Sequence, residues 1–155
     1  MSPSRPGWDP AKPTSLAGYL EALSRPVFST GMNWRVVETK WNGIREAFDG
    51  FDPERVAAMT PADVDRLLAD PRIIRNRKKV EATIHNAERM IELDREHGGF
   101  AGWLGSLGSF DDTVAGLRRE FRYVGDMGAY LFLWTVAEPV PSHEEWAKAH
   151  GPRVA

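Results

Sequence analysis

Apolar residues recur along this chain at helical spacing, with no stretch of alternating pattern long enough to suggest a strand. Leu16, Tyr19, Leu20 and Leu23 form one stripe, on a helix that Thr14 or Ser15 can cap and that should end near Pro26. The segment FSTGMNW interrupts the pattern, and Asn33 is placed to cap the next helix, where Val37, Trp41, Ile44 and Phe48 share a face. Asp52-Pro53 and Thr60-Pro61 then repeat one device, a capping side chain followed by a proline at the first helical position. Val64, Leu67 and Leu68 point inward from the second of these helices, which Asp70-Pro71 stops. A long helix follows, with Val80, Ile84, Ala87 and Ile91 expected inside and Glu81, Glu88 and Glu92 outside, ended by His97-Gly98-Gly99. After a short apolar piece around Trp103 and Leu104, Asp111 or Asp112 can cap a helix over 113–120. The chain re-enters helix at Asp126, stays apolar through Ala137, and closes on a short helix after Ser142. The expectation is an all-α fold of eight or nine short helices, a single domain over 14–150 behind a flexible proline-rich arm over 1–13.

The run FRYVGDMGAYLFLWTVAEPVP, 121–141, is the most specific local signal. Val114, Leu117 and Phe121 face inward and Arg118, Arg119 and Arg122 outward, before a tight corner at Tyr123, Val124 and Gly125. This pattern describes a helix-hairpin-helix. A glycine with φ above zero would let the backbone turn, so that the first amides of the second helix, through Met127 and Gly128, meet a phosphate oxygen. Such a hairpin grips nucleic acid without reading bases. An ordinary helix–helix corner with a buried second helix fits the same residues.

Net charge narrows this further. A formal charge of -2 supplies no field to draw a polyanion, so a nucleic-acid binder must concentrate its positive charge locally. The stretch RIIRNRKK, 72–79, does so with Arg72, Arg75, Arg77, Lys78 and Lys79, although a charge run is most often a solvated face. Arg75, Arg77 and Lys78 are the candidate phosphate contacts there. Absence of cysteine excludes a disulfide framework, a thiolate metal site and a thiol nucleophile. No run reaches the length of a membrane span and the N-terminus lacks the apolar core of a signal peptide, which makes a cytoplasmic, nucleoid-associated monomer without cofactor the expectation.

Three blocks resemble the DNA-3-methyladenine glycosylase I family of the helix-hairpin-helix glycosylase superfamily: GMNW with the helix after it, the run from FDPERVAAM through IIRNRKK to HNA, and FRYVGDMGAYLFLW. The resemblance implies a monofunctional enzyme that flips an alkylated adenine out of duplex DNA and hydrolyses its N-glycosidic bond. Because alkylation leaves the purine positively charged, it is already a good leaving group. Trp34 matches the family's stacking tryptophan, with Phe28, Asn33 and the arm's Trp8 as neighbours in the expected base pocket. From its spacing alone, without the family match, Trp34 reads first as a core residue beside Trp41.

The chain also departs from the family. A segment of the form EGxQxGLSW carries the glutamate that hydrogen-bonds the alkylated base, and aligned on Gly31 and Trp34 that position is Pro26. The family's zinc cysteines have no counterpart, so no metal is expected. In a different branch of the superfamily a Pro-Val-Pro segment leads to a catalytic aspartate; here PVPSHEEW offers Glu144, with His143 beside it, as the corresponding candidates. Glu144 is also what a first helical turn favours for its dipole. Met127 stands where bifunctional members carry the Schiff-base lysine, so no lyase activity is expected. Asp126, at the helix start, would repel a phosphate unless it is turned aside. Two functions remain in view: a glycosylase, or a non-catalytic DNA-binding or protein-interaction module that keeps the fold.

Overall fold

The structure is a computed structural model and describes residues 10–150. Among these residues the chain forms helices and turns with no strand. In order they are α1 (Leu16–Ser29), α2 (Trp34–Ala47), a 3-10 turn at Asp49–Phe51, α3 (Pro53–Ala57), α4 (Pro61–Leu68), α5 (Arg77–Glu96), α6 (Phe100–Gly105), α7 (Phe110–Glu120), α8 (Asp126–Thr135) and α9 (His143–His150). The caps largely follow the sequence pattern: Ser15, Asn33, Asp52 and Thr60 each accept a backbone N–H at a helix start. At α7 the cap is Ser109, three residues before Asp112, which bonds back to it in a reciprocal capping box. Neither Asp111 nor Asp112 is the cap, and the helix begins earlier than the acidic pair suggests.

One buried cluster joins α1, α2, α5 and α8. Within it Phe51 stacks on Trp41 and on Phe48, each at 5.5 Å and near parallel, and Phe28 meets Trp41 edge-on and Phe48 at a tilt. Such aromatic pairs add about 0.5–1.5 kcal/mol beyond area burial. Trp41 is additionally fixed by its indole N–H, which donates to Glu21 at 2.8 Å.

Three expectations are corrected by this packing. Helix α1 does not end at Pro26 but carries it buried and continues to Ser29. A proline there removes one helical hydrogen bond; the interior helix tolerates that because Val27 and Phe28 beyond it are fully buried. The inward face of α5 is rotated relative to the apolar stripe: Lys79, Thr83 and Asn86 are buried, whereas Ile84 and Ile91 are only half-buried. Finally, the chain is tied down ahead of residue 13, since the Ala11 amide donates to the Thr135 carbonyl at 2.9 Å and Lys12 pairs with Glu138 at 3.1 Å.

Candidate active site

Helices α7 and α8 are joined by five residues whose conformation differs from the expected glycine corner. Tyr123 takes the left-handed backbone at φ 59°, while Gly125 is extended at φ −95° and is the N-cap of α8. A non-glycine residue in that region is uncommon and needs outside support. Asn86, buried on α5, supplies it: its side-chain oxygen accepts from the Arg122 N–H at 2.9 Å, and its amide donates to the Arg122 carbonyl at 3.3 Å. Both backbone polar groups of Arg122, the residue before Tyr123, are thereby satisfied by one side chain. No side chain caps the start of α8.

Facing this corner is the end of α1 and the loop that follows. Gly31, at φ 75°, turns the chain where a side chain would be strained. Lys79 reaches up from α5 and donates to the carbonyls of Phe28 at 2.8 Å and Thr30 at 2.6 Å. Burial pulls the Lys79 pKa below its ordinary value. The ammonium holds the loop from beneath.

Between the loop and the corner lies a cavity of about 710 Å³. Pro26, Met32 and Trp34 line it on one side, Phe121, Tyr123, Val124 and the first turn of α8 on the other. Trp34 is half-buried, with the Arg35 guanidinium 5.6 Å from its ring, and is not part of the packed interior that takes Trp41. Of the four large apolar side chains exposed among the described residues, Met32, Tyr123 and Met127 line this cavity. An apolar rim beside backbone amides that no side chain caps can take a flat apolar group and an acceptor next to it.

The structure places the other candidates as follows. Phe28 is fully buried against Phe48 and Trp41, so it is a core residue and not a pocket residue. Asn33 is exposed and spends its carboxamide oxygen on the Arg35 amide as the α2 cap. Trp8 lies outside the described residues. Val124, Gly125, Met127 and Gly128 line the cavity, and Gly128 packs so that an added Cβ would sit 3.5 Å from Pro26. Arg118 pairs with Asp126 at 2.8 Å, Arg119 lies 3.5 Å from Glu120, and Arg122 is exposed.

The basic run over 72–79 is not one patch. Arg72 is bound to Asp70 at 2.7 Å, Arg77 to Asp65 at 2.9 Å, and Lys79 is inside; Arg75 and Lys78 are exposed.

Glu144 and His143 are not brought to the cavity of Trp34. The His143 ring lies 6.4 Å from both Tyr130 and Trp146, Glu144 is exposed on α9, and neither is among the cavity-lining residues. A second cavity of about 680 Å³ is lined by Leu104, Phe110, Asp111 and 138–141, and it too lacks Glu144. The Pro-Val-Pro segment ends on the Tyr130 hydroxyl, which donates to the Pro141 carbonyl at 2.9 Å, and this docks α9 away from the corner. The zinc implied by the resemblance does not fit these residues either. There is no cysteine, and among the described residues no three His, Asp or Glu side chains gather to hold a metal.

A family model described as methyladenine glycosylase matches residues 13–120. The chain belongs to this family. It is 34% identical over 105 residues to DNA-3-methyladenine glycosylase 1 of Escherichia coli, an alignment covering 59% of this chain and 56% of that protein. The chain thus spans little more than half the length of this curated relative. A crystal structure of 3-methyladenine DNA glycosylase I superposes with a TM-score of 0.72 at 28% identity, covering 81% of each chain. The Staphylococcus aureus enzyme, solved to show the structural basis of 3-methyladenine recognition, gives 0.70 at 26% identity, covering 85% of this chain and 78% of that one.

Asn86, Lys79 and Asp126 are the site residues the sequence pattern does not assign. Two are polar residues inside a helix face that reads as amphipathic one position away. Asp126 draws notice only as a misplaced charge.

Proposed function

We propose that this protein is a monofunctional DNA glycosylase that releases a cationic alkylated purine of the 3-methyladenine type from duplex DNA. The observation that carries this is a half-buried tryptophan lining a cavity whose other wall is an uncapped helix start. In this reading the amides of Gly125, Met127 and Gly128 hold a backbone phosphate, helped by Arg118, Arg119 and Arg122, with Arg75 and Lys78 reaching the flank. The everted base stacks on Trp34, where the electron-rich ring favours a positive charge. As the C1'–N bond breaks, its electron pair passes to the base and cancels that charge. Water supplies the oxygen that bonds C1' and gives up a proton to solvent. No lysine lines the cavity to divert this step into a Schiff base. The setting is a monomer acting on nucleoid DNA in the cytoplasm, and no helix among the described residues is long and apolar enough to cross a membrane.

Pro26, at the position of the family's glutamate, lines the same cavity and favours the second reading, a fold that keeps DNA binding without excision. Incubation with methylated duplex and chromatography of the released bases separates the two. Free 3-methyladenine that disappears in Trp34→Ala, at unchanged thermal stability, is the expected result. Release no greater than a heat-killed control, with salt-sensitive duplex binding intact, overturns the enzyme and leaves the binding module.

A further inference from the structure

The Trp34 cavity contains one acid and one base among its lining residues, Asp126 and Arg118, and they are bound to each other at 2.8 Å across the corner. Other carboxylates near this end of the fold are committed elsewhere: Glu38 to Arg25, Glu21 to Arg45 and the Trp41 indole, and Glu120 to Arg89. The wall opposite, where the family carries its glutamate, is a proline. A cavity meant for a positively charged nucleotide would thus hold no unpaired negative group.

The pair, however, is built for exchange. Its side chains are 54% and 37% exposed, Arg118 the more so, and an ion pair so exposed is worth about 0–1 kcal/mol. A DNA phosphate arriving at the uncapped start of α8 can take Arg118 at little cost. Asp126 is then left facing the cavity with its charge uncompensated.

We propose that Asp126 is the charge-recognition group of this cavity, released from Arg118 when the backbone phosphate docks and turned to the positive charge of the everted nucleotide. It would thereby take over, from the opposite wall, the recognition that the family gives to the glutamate missing at Pro26. An acid in a first helical turn is ordinary by itself. What distinguishes this one is its place on the wall of a ligand-sized cavity and a partner that the ligand's own phosphate competes for. Arg118 has two jobs in sequence: it neutralises Asp126 in the free protein, and it holds phosphate in the complex. The class of ligand that follows is a cationic purine nucleotide, in preference to a neutral damaged base of similar shape.

Because this rests on the excision activity proposed above, the test uses one readout that needs turnover and one that does not. Single-turnover release of 3-methyladenine is measured for the full chain, Asp126→Asn and Asp126→Glu. In parallel, affinities are measured for duplexes holding a protonated pyrrolidine or a neutral tetrahydrofuran in place of the target sugar. The expected result is a loss on the order of 10- to 100-fold in release for Asp126→Asn, the range for a charge-assisted hydrogen bond. The pyrrolidine preference should vanish with it, both returning in Asp126→Glu, with thermal melting unchanged. Excision and pyrrolidine preference that both survive Asp126→Asn overturn the role of Asp126 and leave the glycosylase standing. A pyrrolidine preference that depends on Asp126 in a protein that releases no base upholds the cation site while the excision activity falls. Absence of both in the unmodified chain removes both.

Discussion

Trp34 and Trp41 are seven residues apart on α2 and so lie on nearly the same face, yet one is half-buried beside a cavity and the other is 2% exposed in the interior. Spacing alone cannot separate them, because what differs is the company they keep: Trp41 meets Phe51, Phe28 and Glu21, while Trp34, at the first position of the helix, has a cavity beside it. Lys79 teaches the same lesson from the polar side. In the sequence it is the last member of a basic run and cannot be told from Lys78. In the fold it is 8% exposed and bonded to two carbonyls of the segment that leads to Trp34. Replacing it by methionine keeps most of the length of the side chain and removes the ammonium that makes both bonds, which should cost roughly 1.5–3 kcal/mol, the range for hydrogen bonds to a charged group. Urea unfolding of Lys79→Met measures that loss, and base release should slow because the loop loses its floor. A change in stability below about 0.5 kcal/mol, within the usual surface range, would show that the loop stands without the lysine.

At the level of elements, the helix count, most of the caps and the position of the α7–α8 corner were legible, because each rests on local chemistry that a single chain displays. Asp52 before Pro53, and Thr60 before Pro61, need no tertiary partner to mark a helix start. The inward face of α5 was not legible, since Thr83 and Asn86 satisfy their polar atoms inside the protein, on the Lys79 carbonyl and on the Arg122 peptide, and a hydrophobic pattern counts them as surface. Nor was the conformation of the corner, where the unusual dihedral falls on Tyr123 and Gly125 is extended. That displacement changes the meaning of Gly125. An added Cβ would meet nothing within 4 Å, and its φ of −95° is open to any residue, so folding does not require glycine there. Gly125→Ala should leave the protein equally stable or raise its stability by about 0.4–1 kcal/mol, through the lost freedom of the unfolded chain. The same methyl group would occupy the space through which a phosphate approaches the α8 amides, so duplex affinity should fall at least several-fold. Melting and fluorescence anisotropy on one preparation check both halves. Unchanged affinity would place the DNA backbone somewhere other than this corner.

For the molecule as a whole, the site depends on α5, which braces the loop through Lys79 and the corner through Asn86, and two titrating groups sit along that brace. Burial, and then the Arg122 charge, hold His85 below its ordinary value of 6.5, against an opposing contact with the Glu120 backbone. Glu120 is held below 4.5, first by its hydrogen bond from Arg89 at 2.7 Å, which ties α7 to α5. Both shifts have the same sign. Below 6.5 the unfolded chain takes up a proton at His85 before the folded one does, so stability falls as pH drops through that window and levels off once the folded imidazole is also charged. The Glu120 contribution is present above 4.5 and is lost as pH falls through its lower folded value. Asp63 and Asp70 are lowered too, by Thr60 and Arg72, but they sit at the surface where solvent screening leaves them little weight. Acid should therefore loosen the protein in two steps, the first of them beside the α7–α8 corner. Urea unfolding at a series of pH values from 8 to 4 should show stability declining from about pH 6.5 downward, the upper window for a histidine of ordinary pKa. His85→Gln should flatten the upper part of that decline and Glu120→Gln the lower part. If His85→Gln leaves the upper slope unchanged, proton uptake in that range belongs to another group and the corner is not the first region to feel acid.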